Sequence, residues 1–257
     1  KTAYEIMPSL VGSEMCIRDR SKEVQERNET AELYIPPGPR LGQKVIEVSQ
    51  LKKSYGNTLL IDDLTFTVPQ GAIIGVIGGN GAGKTTFLRV LSTRVRPDTG
   101  TVTVAGYDSR TKPKELRRSI GVVGHQGLLY DDLTASENLE FYSRMYGLKD
   151  VQASVGRCLE LVGLESKSDR KVRTLSHGMQ KRLGIARAIL HDPMVLLLDE
   201  PESGLDVDSR DKLKEILFKW IEKGRTVVMT THSADIGSGW STRTLVLSDG
   251  RINDVQT

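Results

Sequence analysis

Gly78-Gly79-Asn80-Gly81-Ala82-Gly83-Lys84-Thr85-Thr86 decides how the rest of the chain is read. The run fits G-x-x-x-x-G-K-[ST], in which glycines let successive backbone N–H groups surround phosphates, Lys84 reaches the outer phosphates, and the Thr85 hydroxyl is placed to hold Mg²⁺. Ala72 to Ile77, just before it, is a short apolar strand candidate, and the residues from Thr85 onward read as a helix. That is the strand–loop–helix context the motif requires. Two further stretches follow: Leu175-Ser176-His177-Gly178-Met179-Gln180, and Val195-Leu196-Leu197-Leu198-Asp199-Glu200, an apolar run closing on two carboxylates.

A chain of 257 residues with 38% hydrophobic content fits one globular domain, or one domain with a subdomain. The net charge of +3 comes from 36 basic and 33 acidic residues dispersed along the chain, so no nucleic-acid footprint is visible and no direct nucleic-acid partner is expected. No apolar run approaches the roughly 20 residues needed to cross a bilayer, so work at a membrane calls for a separate chain. Cys16 and Cys158 give neither metal spacing nor a disulfide framework, which suits a reducing compartment.

Residues 1–20 do not read as a signal peptide. In back-translation, Lys1 to Glu5 and Leu10 to Asp19 are similar to the two constant parts of a sequencing-library adapter with an index between, so they carry no fold information. Residues 21–43, charged and then Pro-rich, suit an extended linker. Folding is expected to begin near Lys44 and to run as one domain over 44–257. Val45 to Val48, Leu64 to Val68 and Thr101 to Ala105 are rich in β-branched residues and predict an antiparallel layer, with Asp62-Asp63 and Pro69-Gln70-Gly71 supplying turns. Parallel core strands are expected at Ala72 to Ile77, Ile120 to Val123, Met194 to Leu198, Thr226 to Thr230 and Thr244 to Leu247. A helical lobe at about 127–190 interrupts them: Thr134 and Glu137 form a capping-box pattern, and Val151, Val155, Leu159 and Val162 recur at helical spacing.

From about Lys44 onward these motifs, in this order, resemble the nucleotide-binding subunit of the ATP-binding-cassette (ABC) family. The resemblance implies an α/β P-loop NTPase cassette with a parallel core sheet, an antiparallel β layer and an inserted helical lobe. It implies ATP and Mg²⁺ as ligands, bound by the loop Gly78 to Thr86. Tyr55 stands where the family stacks an aromatic ring on adenine; a strand-end tyrosine is the alternative. Gln126 matches the Q-loop glutamine, joining Thr85 and Asp199 around the metal, unless it is a plain loop glutamine. His125 beside it is expected to face solvent or to pack.

Glu200 is assigned to general base or water polarisation and His232 to a switch histidine contacting the γ-phosphate, by the same resemblance. Ser176, His177, Gly178 and Met179 match the signature, which acts in trans on the nucleotide of the opposite subunit. His177 and Met179 depart from the usual glycine and glutamine, and a non-glycine at 177 fits only if its φ is negative. Asp206 matches the D-loop. Each half-site is then incomplete alone, and ATP is expected to join two cassettes as a homodimer or heterodimer.

Two finer resemblances compete. Arg27 to Thr30 and Leu33 to Gly42, continuing through Leu60 to Leu64, look like the linker and second-cassette start of the ABC-F ribosome-associated translation factors. From about Phe87, the runs Leu88 to Ser92, Arg96 to Gly100, Leu175 to Met179 and Asp199 to Asp206 look like a transporter cassette of the cytochrome c maturation haem-exporter type. The wording changes within Gly79 to Thr86, as in a chimera joined there. The leading expectation is an ATPase that energises export by a transmembrane permease, with haem or a related molecule as cargo. It would dock through the surface near Gln126 to Tyr142, at the cytoplasmic face of the inner membrane. The alternatives are a ribosome-associated factor and an assembly product with no native role.

Overall fold

Short apolar runs rich in β-branched residues assemble into two sheets. The computed structural model describes residues 44–256 apart from Asn57, Gln126 and Asp249, with side chains described through Ile252. The adapter-like and linker expectations at 1–43, and the placement of Gln126, lie outside the described residues.

The first sheet is antiparallel, in the order β2-β1-β4-β5, from β1 (Lys44–Tyr55), β2 (Thr58–Pro69), β4 (Thr99–Val104) and β5 (Tyr107–Asp108). The second runs β10-β9-β3-β8-β7-β6, from β3 (Ile73–Ile77), β6 (Ile120–Val123), β7 (Val195–Asp199), β8 (Thr226–Thr231), β9 (Arg243–Ser248) and β10 (Arg251–Gln256). Its strands β6, β7, β8, β3 and β9 are parallel, as expected; β10 adds an antiparallel edge that the sequence reading lacked.

Helices cover one face of this sheet, and the antiparallel sheet with α1 covers the other, which is why its inner strands are apolar on both sides. In β7, Leu196 and Leu198 pack with helix residues Leu139, Leu159, Leu183 and Trp220. Val195 and Leu197 pack the other way, with Ile46, Phe66, Phe87 and Leu91. The alternation follows the two-residue period of a strand. Helices α1 (Lys84–Leu91), α2 (Pro113–Ser119), α3 (Ala135–Met145), α4 (Val151–Leu161), α5 (His177–Ile189), α6 (Val207–Glu222) and α7 (Ala234–Trp240), with short 3-10 turns at Glu165–Lys167 and Val172–Thr174, complete the described elements. α3 opens on a capping box: the Glu137 N–H donates to Thr134 Oγ1 at 3.1 Å, and the Thr134 N–H donates to Glu137 Oε2 at 2.7 Å.

Residues on either side of the change of wording at Gly79 to Thr86 share one core. Phe66 of β2 meets Phe87 of α1 edge-on at 5.4 Å between ring centroids.

One expectation is corrected. Asp62-Asp63 is not a turn but an irregularity inside β2, where the β1–β2 register shifts and Asp63 takes φ 50°. Asp62 is held in place there because it accepts from Lys52 Nζ and Arg251 Nε, each at 2.9 Å. Those two cations keep its carboxyl below the usual carboxylate range. β1 and β2 therefore run longer than expected, and Ala72, Ala105 and Met194 fall just outside the strands expected to hold them.

Candidate active site

The parallel strands end on one line, the carboxyl edge where α/β sheets bind ligands. β3 ends at the phosphate loop, β7 at Asp199, and β8 immediately before His232; Ile77 pairs with Thr231, and Asp199 with Thr230.

The loop's glycines are required by contact as well as by conformation. Gly83 has φ 99°, and a Cβ there would sit 2.5 Å from the Leu60 carbonyl oxygen; at Gly78 it would sit 2.4 Å from that of Leu247. Lys84 is buried, and its ammonium folds back over the loop, donating to Gly78 O at 2.6 Å and Gly79 O at 3.0 Å. A cleft of about 200 Å³ remains, lined by Leu60, Gly79 to Thr86 and Glu200. Its walls are backbone N–H groups, the N-terminus of α1 and a lysine, a field suited to phosphate.

Asp199 Oδ1 accepts the Thr85 hydroxyl at 3.3 Å and the Thr230 hydroxyl at 2.7 Å. Among the described residues no group of three His, Cys, Asp or Glu side chains is arranged to hold a metal. One carboxylate and one hydroxyl instead offer hard oxygen donors and leave most positions to phosphate and water, which fits Mg²⁺. Glu200 takes φ 47°, a left-handed conformation for a non-glycine. Its N–H donates to both Thr230 O and Thr230 Oγ1 at 3.2 Å. Its carboxylate lies between Lys84 and His232, Oε1 at 4.0 Å from Lys84 Nζ and Oε2 at 3.7 Å from His232 Nδ1. A carboxylate so fixed beside a phosphate cleft can orient and deprotonate a water.

Tyr55 is exposed at the end of β1, with Lys53 Nζ 5.3 Å from its ring centroid. It is not among the described residues lining the phosphate cleft; Leu60, further along the same hairpin, is. The residues matched to the signature are likewise apart from the cleft. Ser176 caps α5 by accepting from the Met179 N–H at 3.3 Å, and His177 is the first helical residue, so its φ is negative as its side chain requires. A Cβ on Gly204 would sit 3.2 Å from His177 Nε2, and a Cβ on Gly178 would sit 2.4 Å from Ser209 Oγ. His177, Gln180 and Lys181 line a separate groove of about 480 Å³ with His125 and Asp131. Asp206 caps α6, accepting from the Ser209 N–H at 2.8 Å.

Sequence reasoning missed Leu60, Thr230, Lys181 and Glu202. Thr230 was the one with a signal, a hydroxyl beside the carboxyl end of a core strand. Lys181 Nζ donates to the Glu200 carbonyl at 3.4 Å; burial lowers its pKa, against the pull of Glu202, Glu200 and Asp199.

Residues 61–203 match the family model described as ABC transporter. Over 219 residues the chain is 38% identical to the Nod factor export ATP-binding protein I of Ralstonia nicotianae, covering 84% of this chain and 68% of that protein. Over 212 residues it is 39% identical to the daunorubicin/doxorubicin resistance ATP-binding protein DrrA of Streptomyces peucetius, covering 81% and 64%. The solved dimer of the ATP-binding cassette MJ0796, in a post-hydrolysis state bound to ADP and phosphate, superposes with a TM-score of 0.74 at 27% identity, covering 82% of this chain and 98% of that one.

Proposed function

The chain belongs to the ABC transporter family and is an ATP-binding, ATP-hydrolysing cassette, and from that premise we propose that it energises export through a separate membrane permease. The observation that carries the catalytic part is the convergence at the carboxyl edge of the sheet. Thr85 and Asp199 share a hydrogen bond, and Glu200 stands between Lys84 and His232.

The loop N–H groups and Lys84 bind the β- and γ-phosphates, and Tyr55 stacks on the base. Asp199 and Thr85, with Gln126 as the resemblance assigns it, would hold Mg²⁺, which would neutralise charge on the phosphate oxygens. Glu200 orients the attacking water and takes its proton, while His232 donates to the γ-phosphate. Ser176 and its neighbours stand outside the cleft because they serve the nucleotide of a second cassette, at an N-terminus of α5 built to receive an anion. Two copies close on ATP, and hydrolysis releases them.

No helix among the described residues is long and apolar enough to cross a membrane, which is consistent with a separate permease at the cytoplasmic face of the inner membrane. The exposed Leu128, Tyr130 and Phe141 support docking near Gln126 to Tyr142. The relatives' names speak of export of Nod factor and of resistance to daunorubicin and doxorubicin, and they give haem no support; the proposal stops at export.

Phosphate release per molecule is expected to rise with protein concentration, as two half-sites meet, and to vanish in Lys84→Ala. Co-purification with a membrane permease is the second expected result. Specific activity independent of dilution, or capture of ribosomes in place of a permease, would overturn it, the latter in favour of an ABC-F factor.

A further inference from the structure

Glu202 is the most deeply buried carboxylate among the described residues, with 2% of its surface exposed. Its Oε1 accepts the Thr231 hydroxyl, and its Oε2 is buried with no hydrogen-bond partner. An ionised carboxylate in that position is costly unless a cation compensates it. Lys181 reaches the same loop from α5, and burial lowers its pKa against the opposing pull of Glu202, Glu200 and Asp199. Lys181 spends one donor on the Glu200 carbonyl at 3.4 Å, the same oxygen that accepts the Ser203 N–H at 3.2 Å.

Glu200 is therefore gripped from both sides. Thr230 holds its N–H, Lys181 and the Ser203 amide hold its C=O, and between them φ stays at 47°. A non-glycine persists in that region only where its surroundings determine it. One step along β8, the Thr231 hydroxyl that Glu202 accepts itself accepts the Ser233 N–H at 3.0 Å, which fixes the turn carrying His232.

We infer that Lys181 and Glu202 are positioning residues for hydrolysis: Lys181 ties the signature helix to the peptide of Glu200, and Glu202 ties the same loop to the turn that carries His232. This rests on the reading of Glu200 as the base. Neither residue lines the phosphate cleft, so losing either disturbs the geometry of attack and leaves nucleotide binding intact.

The test is steady-state ATP hydrolysis by the full chain with Mg²⁺, run beside fluorescent-nucleotide binding and thermal melts. Lys181→Met is expected to lower kcat roughly 10- to 100-fold with KM for ATP within about twofold of the parent, and Lys181→Arg, which keeps donor and charge, to recover most of it. Glu202→Leu, which removes the acceptor for Thr231, is the second arm, expected to bind nucleotide normally and to lose kcat, while Glu202→Gln, which keeps that acceptor, is expected to recover most of it. Wild-type kcat in both Lys181→Met and Glu202→Leu overturns the proposal, as does equal loss in Lys181→Met and Lys181→Arg. Should one of Lys181→Met and Glu202→Leu fail to fold, the other carries the decision, and a KM that rises with kcat unchanged overturns it. Glu200→Gln is measured in parallel: if it hydrolyses normally the reading of the base has failed, whereas an inactive Glu200→Gln beside fully active Lys181→Met and Glu202→Leu refutes the positioning roles alone.

Discussion

The Thr230 hydroxyl donates to Asp199 Oδ1 at 2.7 Å and accepts the N–H of Glu200 at 3.2 Å, so one buried side chain on the neighbouring strand orients both members of the acidic pair. Thr230→Val keeps the shape and removes the hydroxyl. Outer-shell partners of this kind typically alter metal affinity or activity by about 10- to 100-fold. A Mg²⁺ titration of ATP hydrolysis should show a higher half-saturating concentration and a lower plateau. An unchanged titration would mean that Asp199 is held by Thr85 alone.

The elements written in consecutive residues were legible from the sequence. The phosphate loop, the apolar strand ending in Asp199 and Glu200, and the capping box at Thr134 and Glu137 each depend on local spacing. Thr230, Lys181 and Glu202 act through tertiary contacts, and nothing near Glu202 in sequence says that it will be buried against Thr231. Asp62-Asp63 was misread because a bulge and a turn use the same residue types; only the pairing of β1 with β2 and the Arg251 contact separate them. β10 was missed because Arg251, Asn253, Asp254 and Gln256 mask its β pattern at the sheet's edge.

Glu200→Gln should bind ATP and stall. Its side chain still fills the space between Lys84 and His232, yet an amide cannot accept the water's proton. Size-exclusion chromatography with ATP and Mg²⁺ is expected to show a dimer that the parent forms only transiently. A variant that hydrolyses at the parent rate removes Glu200 from the role of base.

Gly178 sits where any side chain collides with α6. An added Cβ lies 2.4 Å from Ser209 Oγ and 2.9 Å from its Cβ, so Gly178→Ala must push the signature end of α5 away from α6. Overpacking of this sort costs about 1–3 kcal/mol. Chemical denaturation should register that loss, and Gly178→Ala combined with Ser209→Gly should regain part of it. No recovery in the double variant would show that the clash lies elsewhere.

Cys158 should be silent in the folded chain. It is 3% exposed on α4, and burial pushes its thiol up to about 11. Alkylation needs the thiolate, which at pH 8 is then on the order of one molecule in a thousand even before access is considered. Mass spectrometry after iodoacetamide treatment should find this residue modified only once denaturant has opened the core that α4 shares with α5. Rapid labelling under native conditions would mean that α4 opens locally.

At Asp206 the helix cap can be separated from the D-loop role proposed for it. In the described chain it is a helix cap, and the hydrogen bonds from Ser209 hold its carboxyl below the ordinary carboxylate range. Because the folded value is depressed, its stabilising effect is complete above the unfolded value of about 3.9 and is lost as pH falls through the folded value. Asp206→Ala should therefore lower the melting temperature at pH 7 and narrow its gap to the parent in strong acid. Asp206→Ser restores a cap acceptor without the charge. If Asp206 also acts across a pair of cassettes, Asp206→Ser should regain the melting temperature at pH 7 and not the ATPase rate. Recovery of both would confine Asp206 to capping α6.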